Sequence, residues 1–133
     1  MANFHSPFRL NQHNQAGMHD LTICLQALVA ASIFFVWVVR YDNIIAEFKQ
    51  YRLPDWLRDL VGILKLALSL LLLIGIERSR FAIAGGLSIA FLMACAFVVH
   101  LRVKNPPFKM LPCLTLLVLS ATIAFINYRL VNV

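Results

Sequence analysis

Acidic residues are scarce in this chain, and none lies deep inside a long apolar block. Six Asp and Glu stand against twelve Lys and Arg in 133 residues, and charged residues make up only 14%. Proton-relay transporters normally carry an acid within a span, so this class of function is disfavoured. A soluble domain is excluded as well, because a chain that is 61% hydrophobic has too few polar groups to cover its surface.

Sequence motifs of known catalytic and metal chemistry are also missing. The three cysteines share no CxxC spacing, and the chain has no HExxH motif, phosphate-binding loop, dinucleotide fingerprint or nucleophile–base pair. The polar N-terminal segment contains His5, His13 and His19, but their spacing puts no two of them on one helical turn. We therefore predict no metal site and assign no catalytic residue, which leaves open whether the protein is an enzyme.

Long apolar blocks dominate what is present. Four blocks, each close to the roughly 20 residues that a helix needs to cross a hydrocarbon core, run over residues 21–39, 57–76, 81–101 and 111–130. Lipid cannot pair free backbone groups, so each block must be helical. The sequence predicts an all-α, integral membrane four-helix bundle over residues 21–133. A polar, flexible segment, residues 1–20, is expected to precede it.

The net charge of +6 comes from cations placed mainly at the ends of the apolar blocks. Such cations meet lipid headgroups, and without a continuous basic face we expect no nucleic-acid partner. The loops after the first and third blocks hold more Lys and Arg than the opposite side, so the positive-inside rule places both loops in the cytoplasm. We expect a protein of a bacterial inner (plasma) membrane that contacts lipids, as a homo-oligomer or with a membrane-protein partner.

The connection between the first two blocks has a pattern of its own. Ile44, Phe48 and Tyr51 fall near one helical face, and most charged residues of this segment fall elsewhere. We predict a short amphipathic helix that lies at the membrane interface or against the mouth of the bundle. An ordinary solvated loop is the alternative.

Lys65 is the most informative polar residue, because it lies within the second apolar block. An intramembrane charge usually faces the bundle interior, and Lys65 shares one polar face at helical spacing with Arg58 and Ser69. These three residues are candidate contacts for the polar group of a bound molecule. Snorkelling of the long Lys65 side chain to the interface is the alternative.

Two further polar residues join the candidate site. His100 ends the third block, where it would either donate a hydrogen bond to a quinone or headgroup oxygen, or cap its helix. Gln26 shares a face of the first block with Thr22. Ser120 and Asn127 likewise share a face of the fourth. The default role of such pairs is hydrogen bonding between helices.

Two stretches of the chain together resemble a known family. The first contains LPDW at 53–56 and VGILK at 61–65, and the second contains MACA at 93–96, HLRVKNP at 100–106 and KMLP at 109–112. Their order and spacing against four hydrophobic blocks resemble the DoxX-like family of small four-helix membrane proteins, from about Phe35 to the C terminus. Many DoxX relatives carry a glutamate where this chain has Lys65, and the branch with lysine there is the more similar one.

The resemblance implies a role as part of a membrane complex more than a particular enzymatic activity. The founding DoxX member is associated with a thiosulfate:quinone oxidoreductase as a subunit, and other relatives with oxidative-stress complexes or receptor assembly. We therefore expect a non-catalytic module or accessory subunit that binds a lipid-like or quinone-like molecule, or a membrane partner. The alternatives are a subunit of a quinone-linked oxidoreductase and a structural assembly factor. A quinone or a bound lipid is the expected cofactor.

Overall fold

The structure, a computed structural model, describes residues 7–132 and is helical over nearly all of them. The helices are α1 (Pro7–Phe34), α2 (Tyr41–Gln50), α3 (Asp55–Ile74), α4 (Ser79–Arg102) and α5 (Pro107–Val131). The all-α prediction is confirmed. Four of these five helices are long. Helices α3, α4 and α5 each contain one of the predicted apolar blocks or nearly all of it, and α1 contains residues 21–34 of the first block.

Helix α1 begins at Pro7, well before the apolar block that starts at Leu21. Residues 7–20, the described part of the segment expected to be flexible, are helical and mostly exposed. Proline suits the first turn of a helix, and no later proline interrupts α1. The polar segment therefore extends the helix of the apolar block, since each residue added to a formed helix gains a backbone hydrogen bond. Residues 1–6, with His5, lie outside the described residues.

A π-helical turn, Phe35–Val39, continues α1 and is followed by a backbone hydrogen bond from Arg40 N to Phe35 O at 3.4 Å. Such wide turns redirect the side chains that follow them. Trp37 is buried, with 8% of its surface exposed, whereas the flanking Val36 and Val38 are exposed. The turn therefore brings one large aromatic side chain into the bundle.

The four long helices form a ring in which α1 and α4 each pack against both α3 and α5. A short turn after Gly75 joins α3 to α4, which makes these two helices antiparallel neighbours as predicted. The largest fully buried apolar side chains lie where the helices meet, and they are Val29, Ile33, Leu72, Ile89 and Ile123. These residues, from all four long helices, form one continuous core.

The contact between α4 and α5 is the most extensive in the bundle, and small residues allow it. A Cβ atom on Gly86 of α4 would lie 2.8 Å from the backbone oxygen of Ser120 on α5. No side chain larger than hydrogen fits there without displacing a backbone. Close approach of this kind is how membrane helices gain packing energy when lipid is as apolar as the helices themselves.

Within residues 7–132, three helical segments are long and apolar enough to cross a membrane, namely Pro7–Val39, Ser79–Arg102 and Pro107–Val131. Helix α3 has a sufficient length of 20 residues, but Arg58, Asp59 and Lys65 make it more polar than the others. Large apolar side chains on the outside of the bundle are exposed, with Ile63 at 68% and Phe91 at 69%. An apolar exterior on long helices is the surface of an integral membrane protein.

Helix α2 occupies the connection for which an amphipathic helix was predicted. Ile44 is buried, and Phe48 is partly buried against the core of the bundle. Asp42 and Lys49 on the other side of α2 are exposed. The helix thus lies across one end of the bundle with its apolar face inward.

Candidate functional site

A partly open cavity of about 380 Å³ lies beneath α2, between the π-helical turn and the adjoining parts of α3, α4 and α5. Its volume falls within the range of about 300–1,000 Å³ that is usual for small-molecule sites. Most of the lining is apolar, including Ile33, Phe48, Leu57, Val61, Met93 and Leu116. The cavity therefore suits a molecule with a substantial apolar part.

Trp37 forms one wall of the cavity, and its position depends on a glycine. A Cβ atom on Gly62 of α3 would lie 2.6 Å from the Trp37 ring, so only glycine lets the indole pack this closely against the helix. The ring is thereby held between α3 and the cavity. This contact links the π-helical turn to the helix that carries Lys65.

Lys65 lines the same cavity, about 15 Å along α3 from its first residue at about 1.5 Å per residue. The side chain is partly buried, and its ammonium nitrogen lies 5.3 Å from the centroid of the Trp37 ring, which is cation–π distance. Within residues 7–132, no ion pair or side-chain hydrogen bond engages this ammonium. The cation–π contact with Trp37 is therefore the main electrostatic contact of the ammonium within the protein.

The other charged groups of the lining are mostly cations. Arg40 and Lys109 line the cavity together with Lys65, whereas Glu47 of α2 is the single acidic residue of the lining. Glu47 is not within ion-pair distance of Lys65. The cavity lining therefore carries an excess of positive charge.

A hydrogen-bonded cluster of three side chains lies beside Lys65 and joins α2 to the end of α4. The Asn105 amide nitrogen lies 2.5 Å from the Tyr51 hydroxyl and 2.7 Å from Nδ1 of His100. Since the amide donates both hydrogen bonds, Nδ1 of His100 is the acceptor and Nε2 carries the ring proton. The rings of Tyr51 and His100 also meet edge to face, with centroids 5.9 Å apart.

Tyr51 is the member of this cluster that follows α2. Burial raises the pKa of its phenol above the ordinary value of 10.0, and the nearby Glu47 carboxylate raises it further, against the opposing effect of the hydrogen bond from Asn105. The phenol therefore stays neutral at physiological pH and accepts the amide hydrogen bond. Its own hydroxyl proton remains available as a donor.

Two unusual helix ends bring the cluster together. Arg52, after α2, and Lys104, after α4, adopt left-handed backbone conformations with φ of 57° and 55°. Each helix is closed by the backbone hydrogen-bond pattern that normally uses glycine at this position, including Asn105 N to His100 O at 3.1 Å. The left-handed turn at Lys104 reverses the chain so that Asn105 lies back against His100.

Two of the three cysteines line the cavity. Cys113 is buried, and its thiol donates to the Met93 carbonyl oxygen at 3.0 Å. Cys95 also lines the cavity, whereas Cys24 does not. All three are free thiols. No group of three or more His, Cys, Asp or Glu side chains that suits a metal ion occurs in the described range 7–132.

The structure brings two of the five sequence-predicted site residues, Lys65 and His100, to one cavity. Arg58 instead pairs with Asp55 and Asp59, at 3.0 Å to each carboxylate, and is not part of the lining. Ser69 donates to the Lys65 backbone oxygen at 2.8 Å and also lies outside the lining. Its hydroxyl is thus used within its own helix.

Gln26, the fifth predicted residue, belongs to a separate polar cluster in the bundle core. It is fully buried and donates to the Leu72 backbone oxygen of α3 at 2.9 Å. Thr22 donates to Gln26 and accepts from Asn127 of α5 at 2.7 Å. These bonds tie α1 to α3 and α5, as expected for hydrogen bonds between helices.

Sequence reasoning did not assign Trp37, Tyr51 or Asn105 to the site. Trp37 reads as an interfacial aromatic at the end of an apolar block, and the π-helical turn that moves it inward has no sequence signature. Asn105 precedes two prolines, a context that indicates only a loop. The amphipathic pattern of the α2 segment, which includes Tyr51, was the sequence feature that indicated a helix lying against the mouth of the bundle.

Comparison with known proteins adds a family to this geometry. The search of curated proteins and of solved structures gives no match. The sequence model of the DoxX-like family matches residues 21–123. That range takes in α2, α3 and α4 entirely, half of α1, most of α5, and every residue of the cavity lining. The chain therefore belongs to the DoxX-like family of membrane proteins.

Proposed function

We propose that this protein is a non-catalytic module or accessory subunit that binds a lipid-like or quinone-like molecule in the cavity beneath α2. The observation that carries the proposal is the cavity itself, which combines an apolar lining with the polar groups of Lys65 and His100. Ligand sites typically have this composition, with a few polar groups that orient a largely apolar ligand.

Helix α2 supports the proposal by its position. It covers the cavity with Ile44 and Phe48 and is joined to α4 through the hydrogen bonds of Asn105. Its contacts with the rest of the protein are few compared with those among the long helices. An amphiphile would enter when α2 moves away and would be enclosed when the Tyr51–Asn105 hydrogen bond re-forms.

The proposal includes α3 as a fourth membrane span. Its charged residues do not need to face lipid, since Arg58 is paired with Asp55 and Asp59 near the start of the helix and Lys65 lines the cavity. The short turn to α4 and the packing against two other long helices favour the same path. The cation excess at the α2 end supports a cytoplasmic position for that end, and we propose an inner membrane as the location.

Site-directed labelling tests the fourth span. In a variant with all three native cysteines replaced, Lys49→Cys on α2 and Ser79→Cys at the start of α4 are compared in intact cells with a membrane-impermeant maleimide. Labelling of Ser79→Cys alone supports four spans with α2 in the cytoplasm. Labelling of both, or of neither until the cells are broken, places the two positions on one side and overturns the fourth span.

Native mass spectrometry of the purified protein tests the binding function, with two matched variants on α3. Val61→Trp fills the cavity, whereas Ile63→Trp adds the same side chain on the exposed exterior. We expect wild type and Ile63→Trp to retain a lipid or quinone that Val61→Trp has lost. Equal retention by both variants would place the ligand elsewhere. No retained amphiphile in wild type, with no thermal shift on adding lipids or quinones, would overturn the binding function.

A further inference from the structure

We infer that the cavity selects amphiphiles with an anionic headgroup, a carboxylate or phosphate on an aliphatic chain, over amphiphiles with a neutral headgroup. This inference rests on the proposed function, because it concerns the ligand of the same cavity. It is carried by the juxtaposition of unpaired cationic and hydrogen-bond-donor groups on an otherwise apolar lining.

The charged residues of the cavity lining are mostly cations. Three cations, Arg40, Lys65 and Lys109, face one carboxylate, that of Glu47. No ion pair within residues 7–132 joins Glu47 to any of these cations. One full negative charge brought by a ligand would therefore reduce an imbalance that the protein itself leaves in place.

The hydrogen-bond donors of the lining also favour an anionic headgroup. The three N–H bonds of the Lys65 ammonium have no acceptor among the described side chains and carbonyls. His100 accepts at Nδ1 from Asn105, so its free ring nitrogen Nε2 is a donor as well. A headgroup with acceptors only, such as a carboxylate or phosphate, matches two donors that line the same cavity.

A neutral headgroup would satisfy these groups less well. A quinone carbonyl or an ester oxygen accepts hydrogen bonds but leaves the Lys65 charge without a counter-charge in the cavity. The face of Trp37 attracts the ammonium and supplies no hydrogen-bond acceptor. A hydrogen bond from the Lys65 ammonium is charge-assisted with either kind of oxygen, but only an anion also supplies the counter-charge, so the anion gains most from this site.

Binding of three amphiphiles with the same chain tests the inference. Dodecanoate, dodecyl phosphate and dodecanol are titrated into the purified full-length protein in a non-ionic detergent, with binding followed by calorimetry and by thermal unfolding. We expect one or both anions to bind at least about tenfold more tightly than dodecanol. The two anionic arms distinguish a fatty-acid-like carboxylate from a lipid phosphate as the preferred headgroup.

Two variants separate the cavity from the surface charge. Lys65→Met should remove most of the preference for anions while dodecanol still binds. Lys49→Gln removes an exposed cation at the same end of the molecule and should leave the preference unchanged. If Lys65→Met does not fold, the wild-type affinities still decide, because they require no substitution.

The outcomes distinguish this inference from the proposed function. Equal affinity for all three amphiphiles, or tighter binding of dodecanol, overturns the anion preference and leaves the binding function intact. An anion preference that persists in Lys65→Met and is lost in Lys49→Gln overturns the assignment to the cavity. Binding of none of the three, together with no co-purified amphiphile, overturns the binding function itself.

Discussion

The ammonium nitrogen of Lys65 lies 5.3 Å from the centroid of the Trp37 ring. The Trp37 ring also packs against Gly62, which has no side chain and so leaves room for the ring. A cation on α3 and an aromatic ring on the π-helical turn are therefore held together by a third residue that contributes only space. The position of the charge in the cavity depends on packing more than on hydrogen bonds.

Gly62→Ala should destabilise the protein and disturb the cavity. Its Cβ atom would lie 2.6 Å from the Trp37 ring, so the ring must move, and overpacking of this kind costs about 1–3 kcal/mol. Gly17→Ala is the matched control, because nothing lies within 4 Å of its Cβ and alanine favours the helix by about 0.8–1 kcal/mol. The measurement is the free energy of unfolding in detergent micelles, and a stabilised Gly62→Ala would contradict the packing described here.

Lys65→Met should raise the stability of the ligand-free protein. A lysine in the middle of a span costs about 2.5–3.5 kcal/mol, and the contact with Trp37 returns about 0.5–2 kcal/mol. We therefore expect a gain of about 0.5–3 kcal/mol in the free energy of unfolding. The same substitution should abolish stabilisation by added anionic amphiphile, which is the usual opposition of stability and function at a binding site. A less stable ligand-free variant would mean that the ammonium has a polar partner.

The long helices were predictable from the sequence because a membrane-crossing helix needs a long run of mainly apolar residues. Lys65 was predictable as a site residue for a related reason, since a charge within such a run must find an interior environment or reach the interface. Arg58 lies on the same helical face, yet its two carboxylate partners are nearby in the sequence and keep it from the cavity. Helical spacing identifies a shared face and does not show which charges are already paired.

The remaining site residues depend on backbone geometry that side-chain patterns do not encode. Trp37 turns inward because of a π-helical turn, and Asn105 reaches His100 because Lys104 adopts a left-handed conformation. Glycine or asparagine normally signals such a conformation, and lysine does not. The start of α1 was missed for a similar reason, since hydrophobicity marks the part of a helix within the membrane and not its polar extension.

Asn105→Ala should loosen α2 from the end of α4. Asn105 is 8% exposed and its amide bridges Tyr51 and His100, so its removal leaves partly buried polar groups unpaired at a cost of about 1–3 kcal/mol. Hydrogen–deuterium exchange over residues 41–53 should become faster, while exchange in the bundle core stays slow. Asn132→Ala is the control, because its exposed amide donates only to the Tyr128 carbonyl of its own helix. Unchanged exchange in α2 would show that the bridge does not hold this helix.

Ser120→Ala and Asn127→Ala should have opposite effects although both residues are buried on α5. The Ser120 hydroxyl has no hydrogen-bond partner among the described residues, so its removal relieves an unsatisfied polar group and should stabilise the protein by up to about 1 kcal/mol.

The Asn127 amide donates to Thr22 at 2.7 Å and to the Ile123 carbonyl at 2.9 Å. Its loss should cost about 1–2 kcal/mol, since hydrogen bonds between membrane helices average about 0.6 kcal/mol and the shorter side chain also leaves a void. Urea or SDS titrations of both variants in the same detergent provide the comparison. A destabilised Ser120→Ala would reveal a partner for the hydroxyl, whereas a neutral Asn127→Ala would show that the contact between α1 and α5 depends on packing alone.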